Sequence, residues 1–100
     1  MAQHVFISYS SEDKDTADVI CQNLEQNGIK CWIAPRDILA GKEWGEALVQ
    51  AITECSIFVL IFSKKADSSK QVLKEVERAD NNKKIIVTFR IENIIPSKSF

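Results

Sequence analysis

Ile57-Phe58-Val59-Leu60-Ile61-Phe62 is apolar at every position. A strand with one wet face alternates apolar and polar side chains, so an unbroken run of this kind fits a strand covered on both faces, as in a parallel sheet. It is the predicted centre of the sheet. Towards the amino terminus, His4 to Tyr9 reads as a strand, and Asp13 to Asn27 as a helix whose Ala17, Ile20, Cys21 and Leu24 fall at i, i+3, i+4 and i+7. Gly28 stops that helix where a positive φ is wanted. Ile29 to Ile33 is the second strand, followed by an irregular loop from Ala34 to Gly41 in which Pro35 and Gly41 are the punctuation. The next helix carries Trp44, Ala47, Leu48, Ala51, Ile52 and Cys55 on one apolar stripe. Towards the carboxyl terminus, Ser68 or Ser69 caps a third helix running to about Asn82, and Ile85 to Phe89 supplies a fourth strand.

Strand and helix alternate without repeats or an interior linker, which predicts an α/β fold with a parallel sheet, right-handed crossovers and helices on both faces. In such sheets ligands sit beyond the carboxyl ends of the strands, near the switch in strand order. The polar loops Tyr9–Asp13, Ala34–Gly41 and Ser63–Ser69 all fall at that edge.

Composition narrows the function classes. One hundred residues allow a single domain, 1–100. Thirteen basic against fourteen acidic side chains, with Lys64-Lys65 and Lys83-Lys84 as isolated pairs, argue against nucleic-acid binding by charge. Cys21, Cys31 and Cys55 lie in or beside apolar segments with no C-x-x-C pair and no histidine cluster, which reads as three reduced core thiols rather than a metal site. The single histidine, His4, begins a strand and is assigned no catalytic part. No apolar run approaches the roughly 20 residues that span a bilayer, and no signal-peptide core is present. A soluble, cytoplasmic protein without membrane or metal partners is the expectation.

Glu75 is the candidate for chemistry. On a helical projection Val72, Val76 and Ala79 define the buried stripe of their helix, and Glu75 lies about 60° from its centre while Lys74 and Arg78 point away. A carboxylate at that margin can be partly desolvated and still face a cleft. The plainer alternative is a surface glutamate paired with Arg78 at i+3. Tyr9, Ser10 and Ser11 offer hydroxyls, backbone N–H groups and a helix opening suited to phosphate oxygens; ordinary capping by Ser11 or Asp13 is the competing account. Trp32, at a strand end, either stacks on a ring of the ligand or belongs to the core.

Three stretches in order, Phe6-Ile7-Ser8-Tyr9-Ser10-Ser11-Glu12-Asp13, Cys31-Trp32-Ile33-Ala34-Pro35-Arg36-Asp37-Ile38 through Gly41, and Ser69-Lys70-Gln71-Val72-Leu73-Lys74-Glu75, resemble the Toll/interleukin-1 receptor (TIR) domain in its bacterial and archaeal form. The resemblance covers nearly the whole chain. It implies a flavodoxin-like three-layer sandwich and either of two functions: cleavage of NAD+ at the nicotinamide–ribose bond, or a non-catalytic scaffold that docks onto other TIR domains. NAD+ would be a substrate, with no cofactor. In the family the catalytic glutamate follows a small hydroxyl residue by about six positions, which Ser69 and Glu75 match. A tryptophan often stands four residues before that glutamate, and here the position is Gln71. Ala34 to Gly41 resembles the family's BB loop, an interface between TIR domains; Pro35, Arg36, Asp37 and Gly41 are the matching positions. The competing reading is a solvated connection with Ile38 and Leu39 tucked under the next helix. If the loop is an interface, self-association switches activity on. The family also continues through a fifth strand or turn and a last helix, so this sequence looks short after Phe89. A phosphate-accepting receiver domain of the same fold class is disfavoured: Glu12 and Asp13 fit its first loop only superficially.

Overall fold

A computed structural model describes residues 4–91. The segment beyond, where the resemblance implies a further strand and a last helix, lies outside the described residues. Strand β1 (Val5–Ser8) leads through a 3-10 turn at Ser11–Asp13 into helix α1 (Lys14–Gln26). Then come β2 (Cys31–Trp32), α2 (Trp44–Glu54), β3 (Ile57–Phe62), the short α3 (Lys64–Asp67), α4 (Lys70–Asn81) and β4 (Ile85–Arg90).

The strands pair in parallel in the order β2-β1-β3-β4, the flavodoxin-like arrangement. β1 and β3 lie inside, in register from Val5 opposite Ile57 to Ser8 opposite Leu60. Alternation along each strand sorts the side chains between two cores. Val5, Ile7, Val59 and Ile61 pack with Ala17 and Cys21 of α1. Phe6 and Phe58 turn the other way, towards Leu48, Ala51 and Ile52 of α2 and Ala79 of α4. Helices therefore cover both faces. Three adjacent strands also contribute a column of rings, with Phe6 stacked on Trp32 at 5.1 Å and on Phe58 at 5.3 Å between centroids. Ser8 follows Phe6 by two residues, so its side chain stands on the face that α4 covers.

The structure differs from the sequence reading in four places. Only Cys31 and Trp32 of the expected Ile29–Ile33 strand pair with β1; the Asp37 carboxylate accepts the Ile33 N–H at 2.9 Å and turns the chain out of the sheet there. Ser63 caps an unexpected helix, α3, through its hydroxyl to the Ala66 N–H. Trp44 is 52% exposed although it belongs to the predicted apolar stripe of α2, because the helix begins there, ahead of the turns that reach the core at Ala47 and Leu48. Ile85, Val87 and Phe89 of β4 stay exposed. Their neighbour Ile86 packs into the α2/α4 core, so these three lie on the α1 side, where no β4 residue joins the buried cluster.

Phe58 is fully buried at the meeting of β1, α2 and α4. Phe58→Ala is expected to cost about 3–5 kcal/mol in urea unfolding, whereas Val19→Ala, at a 56% exposed position, stays within about 0.5 kcal/mol of wild type.

Candidate active site

Helix α4 begins where the Ser69 hydroxyl accepts the Val72 N–H at 3.1 Å. From that start, Val72, Glu75 and Ala79 form its buried stripe, and Val76 is only half-buried. Glu75 thus lies inside the stripe rather than at its margin, with 9% of its surface exposed. It has no ion pair with Arg78 among the described contacts. Instead the Ser8 hydroxyl donates to Oε1 at 2.6 Å and the Gln71 amide donates to Oε2 at 2.8 Å. Burial pushes the Glu75 carboxyl above the usual carboxylate range, and the two donors offset only part of that rise.

A cleft of about 470 Å³ opens over this carboxylate at the carboxyl ends of the strands. Of the sequence-predicted ligand residues, Tyr9, Ser10, Ser11, Ser69 and Glu75 all line it, with Pro35 from the following loop. Their polar groups are differently disposed from expectation. The Tyr9 hydroxyl donates to the Ala34 carbonyl, so it is already engaged; burial pushes its phenol up, opposed by Lys14. Ser10, rather than Ser11 or Asp13, caps the 3-10 turn, accepting the Glu12 N–H at 3.4 Å. The Asp13 carboxylate accepts from the Ser63 hydroxyl instead, fixing the turn after β1 to the end of β3. Trp32 lies elsewhere: it packs against the α2/α4 core and lines a separate depression between β2, the loop after it and α2.

Sequence reasoning missed four contributors. Ser8 is buried on β1 under Glu75, and strand parity with Phe6 would have put it on the α4 side. Gln71 stands out in the sequence only as a departure from a motif, and its amide reaches Glu75. Lys14 also lines the cleft, its ammonium paired with Asp18 at 2.7 Å. Trp44 adds an exposed indole to the wall.

The loop after β2 is tied down from within the chain. The Arg36 guanidinium grips both Glu25 oxygens of α1 at 3.0 and 2.8 Å, reaches the Cys31 carbonyl, and pairs with Asp37. Arg36 and Asp37 thus hold the loop against α1 and β2, while Gly41 takes a positive φ of 83° near its far end. The Ala34–Pro35 peptide is cis. Ile38 is half-buried, and Leu39 stands 73% exposed. All three thiols are free and buried. Cys21, Cys31 and Glu25 bring their donor atoms within 4.8 Å of one another, but Glu25 is occupied by Arg36, and burial pushes the Cys31 thiol up to about 12. A protonated thiol and an occupied carboxylate make a poor cation site.

Among the described residues, no helix is long and apolar enough to cross a membrane. No curated protein matches the chain. Among solved structures, it is similar to the TIR domain of the Toll-related receptor TRR-2 from Hydra magnipapillata. That likeness has a TM-score of 0.82 at 20% identity, over 96% of this chain and 77% of that one, and speaks to fold. It is also similar to the TIR domains of the activated Roq1 resistosome, which recognises the pathogen effector XopQ. There the TM-score is 0.77 at 26% identity, over 87% of this chain and 56% of that one. A metazoan TIR-STING receptor from C. gigas gives a TM-score of 0.74 at 28% identity, over 88% of this chain and 30% of that one. Residues 5–99 match the family model of the TIR domain, and the chain belongs to that family.

Proposed function

We propose that this TIR domain hydrolyses NAD+ at the nicotinamide–ribose bond, with Glu75 as the catalytic carboxylate and the cleft over it as the substrate site. The observation that carries the reading is a buried, doubly hydrogen-bonded carboxylate at the floor of a cleft beyond the strand ends. The bond asks for little machinery. As C1′–N breaks, its electron pair neutralises the pyridinium, so nicotinamide leaves without a proton donor. The ribose is left as an oxocarbenium-like cation, which a nearby carboxylate stabilises strongly where water is excluded. Water then adds at C1′ and loses a proton, giving ADP-ribose; attack by the adenine ring instead gives a cyclic product. No histidine, metal or Gly-rich phosphate loop is required.

Other groups in the cleft suit the rest of the dinucleotide. Trp44 and the Tyr9 ring offer apolar faces to a base or pyridinium ring. Lys14, with Ser10 and Ser11, offers charge and N–H groups to the pyrophosphate. Pro35 puts the loop after β2 at the rim, and the exposed Leu39 gives that loop an apolar contact for a second TIR domain. Self-association through it would close the cleft and raise turnover, in an immune or signalling setting. The scaffold reading draws on the same exposed Leu39 and on Gln71 in place of the family's tryptophan.

Incubated at high concentration with NAD+, the wild type is expected to release nicotinamide, and Glu75→Gln to lose about 100-fold or more in rate. Equal release by both removes Glu75 from the mechanism, and no release by crowded or tethered wild type favours the scaffold. Trp44→Ala is expected to raise KM for NAD+ by about tenfold and Trp44→Phe by much less, in line with loss of one base-stacking contact.

A pH-dependent stability difference follows from burial. Because the folded protein holds Glu75's pKa above its unfolded value, this group's contribution is most favourable below the unfolded value of about 4.3 and is lost as pH rises through the folded pKa. Glu75→Gln is therefore expected to melt at a higher temperature than wild type at pH 7. Differential scanning calorimetry should find that the gap narrows as pH falls towards 4.

A further inference from the structure

The two donors that hold Glu75 are unlike. Ser8 is 1% exposed on an inner strand and does not line the cleft, so its bond to Oε1 is enclosed by the core. Gln71 is exposed, lies one turn earlier on α4, and lines the cleft itself, with its amide on Oε2. A ribose diol approaching Glu75 from the cleft meets the oxygen that Gln71 already occupies. The hydroxyl and the amide are both donors, and because Gln71 itself lines the cleft they compete for the lone pair of Oε2 that faces it. A long, exposed glutamine side chain can swing clear by changing rotamer, whereas Ser8 has nowhere to move.

We propose that Gln71 is a displaceable clamp on Glu75: its amide holds Oε2 in the unliganded protein and yields that oxygen to a substrate hydroxyl. The inference rests on the NAD+ reading above and adds a positioning residue to it. The clamp orients the carboxylate and favours its ionised form before substrate arrives, and binding must exchange that hydrogen bond. Other groups facing Glu75 do not duplicate the role. Tyr9 and Lys14 line the same cleft from the turn after β1 and the start of α1, but neither has a hydrogen bond to it among the described contacts. Lys74 and Arg78, its neighbours on α4, are exposed. From α2 come Trp44 and Leu48, neither of which titrates.

The test uses the full chain with 13C-labelled glutamate, assigning the Glu75 carboxyl signal by its absence in Glu75→Gln. Position 71 is exposed and helical, so Gln71→Ala should fold normally. In Gln71→Ala the Glu75 titration midpoint is expected to move to higher pH, because a donor to the charged form is gone. NAD+ affinity measured by calorimetry should rise about threefold or more as the competition is lifted. The acid limb of kcat/KM should follow the midpoint upward, and Lys74→Ala, on the exposed face, should leave both measurements unchanged. A midpoint equal to that of wild type overturns the clamp. So does affinity equal to or weaker than wild type, or no NAD+ binding by either protein. If NAD+ binds but no nicotinamide is released, the hydrolase reading fails, while midpoint and affinity still decide the clamp.

Discussion

The hydrogen bond from Ser8 to Glu75 joins the inner strand β1 to helix α4 across the α2/α4 face of the sheet, and the site is arranged around it. Two periodicities must agree for it to form. Ser8 reaches that face because it stands two residues after Phe6, and Glu75 reaches it because it stands three after Val72 and four before Ala79. A shift of one residue in either element would bury a different group. The bond also makes burial of the carboxylate tolerable. A buried charge without partners costs several kcal/mol or loses its ionisation, and here one donor comes from the core and the other from the helix itself.

Around that bond, contacts between distant segments keep the cleft's walls in place. Asp13 and Ser63 tie the turn after β1 to the end of β3, linking the two loops that flank the switch in strand order. Tyr9 donates to the Ala34 carbonyl and joins the first of those loops to the one after β2. Arg36 anchors the latter to α1 through Glu25. Exposed pairs of that kind are each worth about 0.2–1 kcal/mol, so Arg36 contributes more to loop geometry than to global stability. Pro35 stays at the rim while Leu39 projects outward. The same loop therefore keeps its base fixed at the cleft while its tip stands exposed.

Much of the fold was legible because its signals are local. The unbroken apolar run Ile57–Phe62, the spacing of Ala17, Ile20, Cys21 and Leu24, the positive φ at Gly28 and the cap at Ser69 each depend on a few neighbouring residues. Features that the sequence reading missed connect remote positions. Ser8 and Glu75 are 67 residues apart, and Asp13 and Ser63 are 50 apart; no pattern within either segment announces its partner. Trp44 illustrates the converse difficulty. Its place on the apolar stripe of α2 is correct by angle, but angle says nothing about where along its axis a helix meets the sheet. Chemistry and motif spacing point to Glu75, yet it is more deeply buried than its projection implies, because α4 meets the sheet along Val72, Glu75 and Ala79 and leaves Val76 to one side.

That deeper position sets two opposing demands on the carboxylate. On the NAD+ reading, low local polarity would strengthen its attraction for a cation developing on the ribose, but the same surroundings favour the protonated form, which offers no such attraction. Hydrogen-bond donors reconcile the two, since they favour the charged form without supplying a counter-ion. A lysine or arginine in Gln71's place would favour ionised Glu75 more strongly, but its positive charge would oppose the ribose cation that the NAD+ reading requires. A neutral hydroxyl below and a neutral amide beside the carboxylate add no positive charge of their own, so its ionised form would, on the NAD+ reading, present an uncompensated negative charge to the ribose.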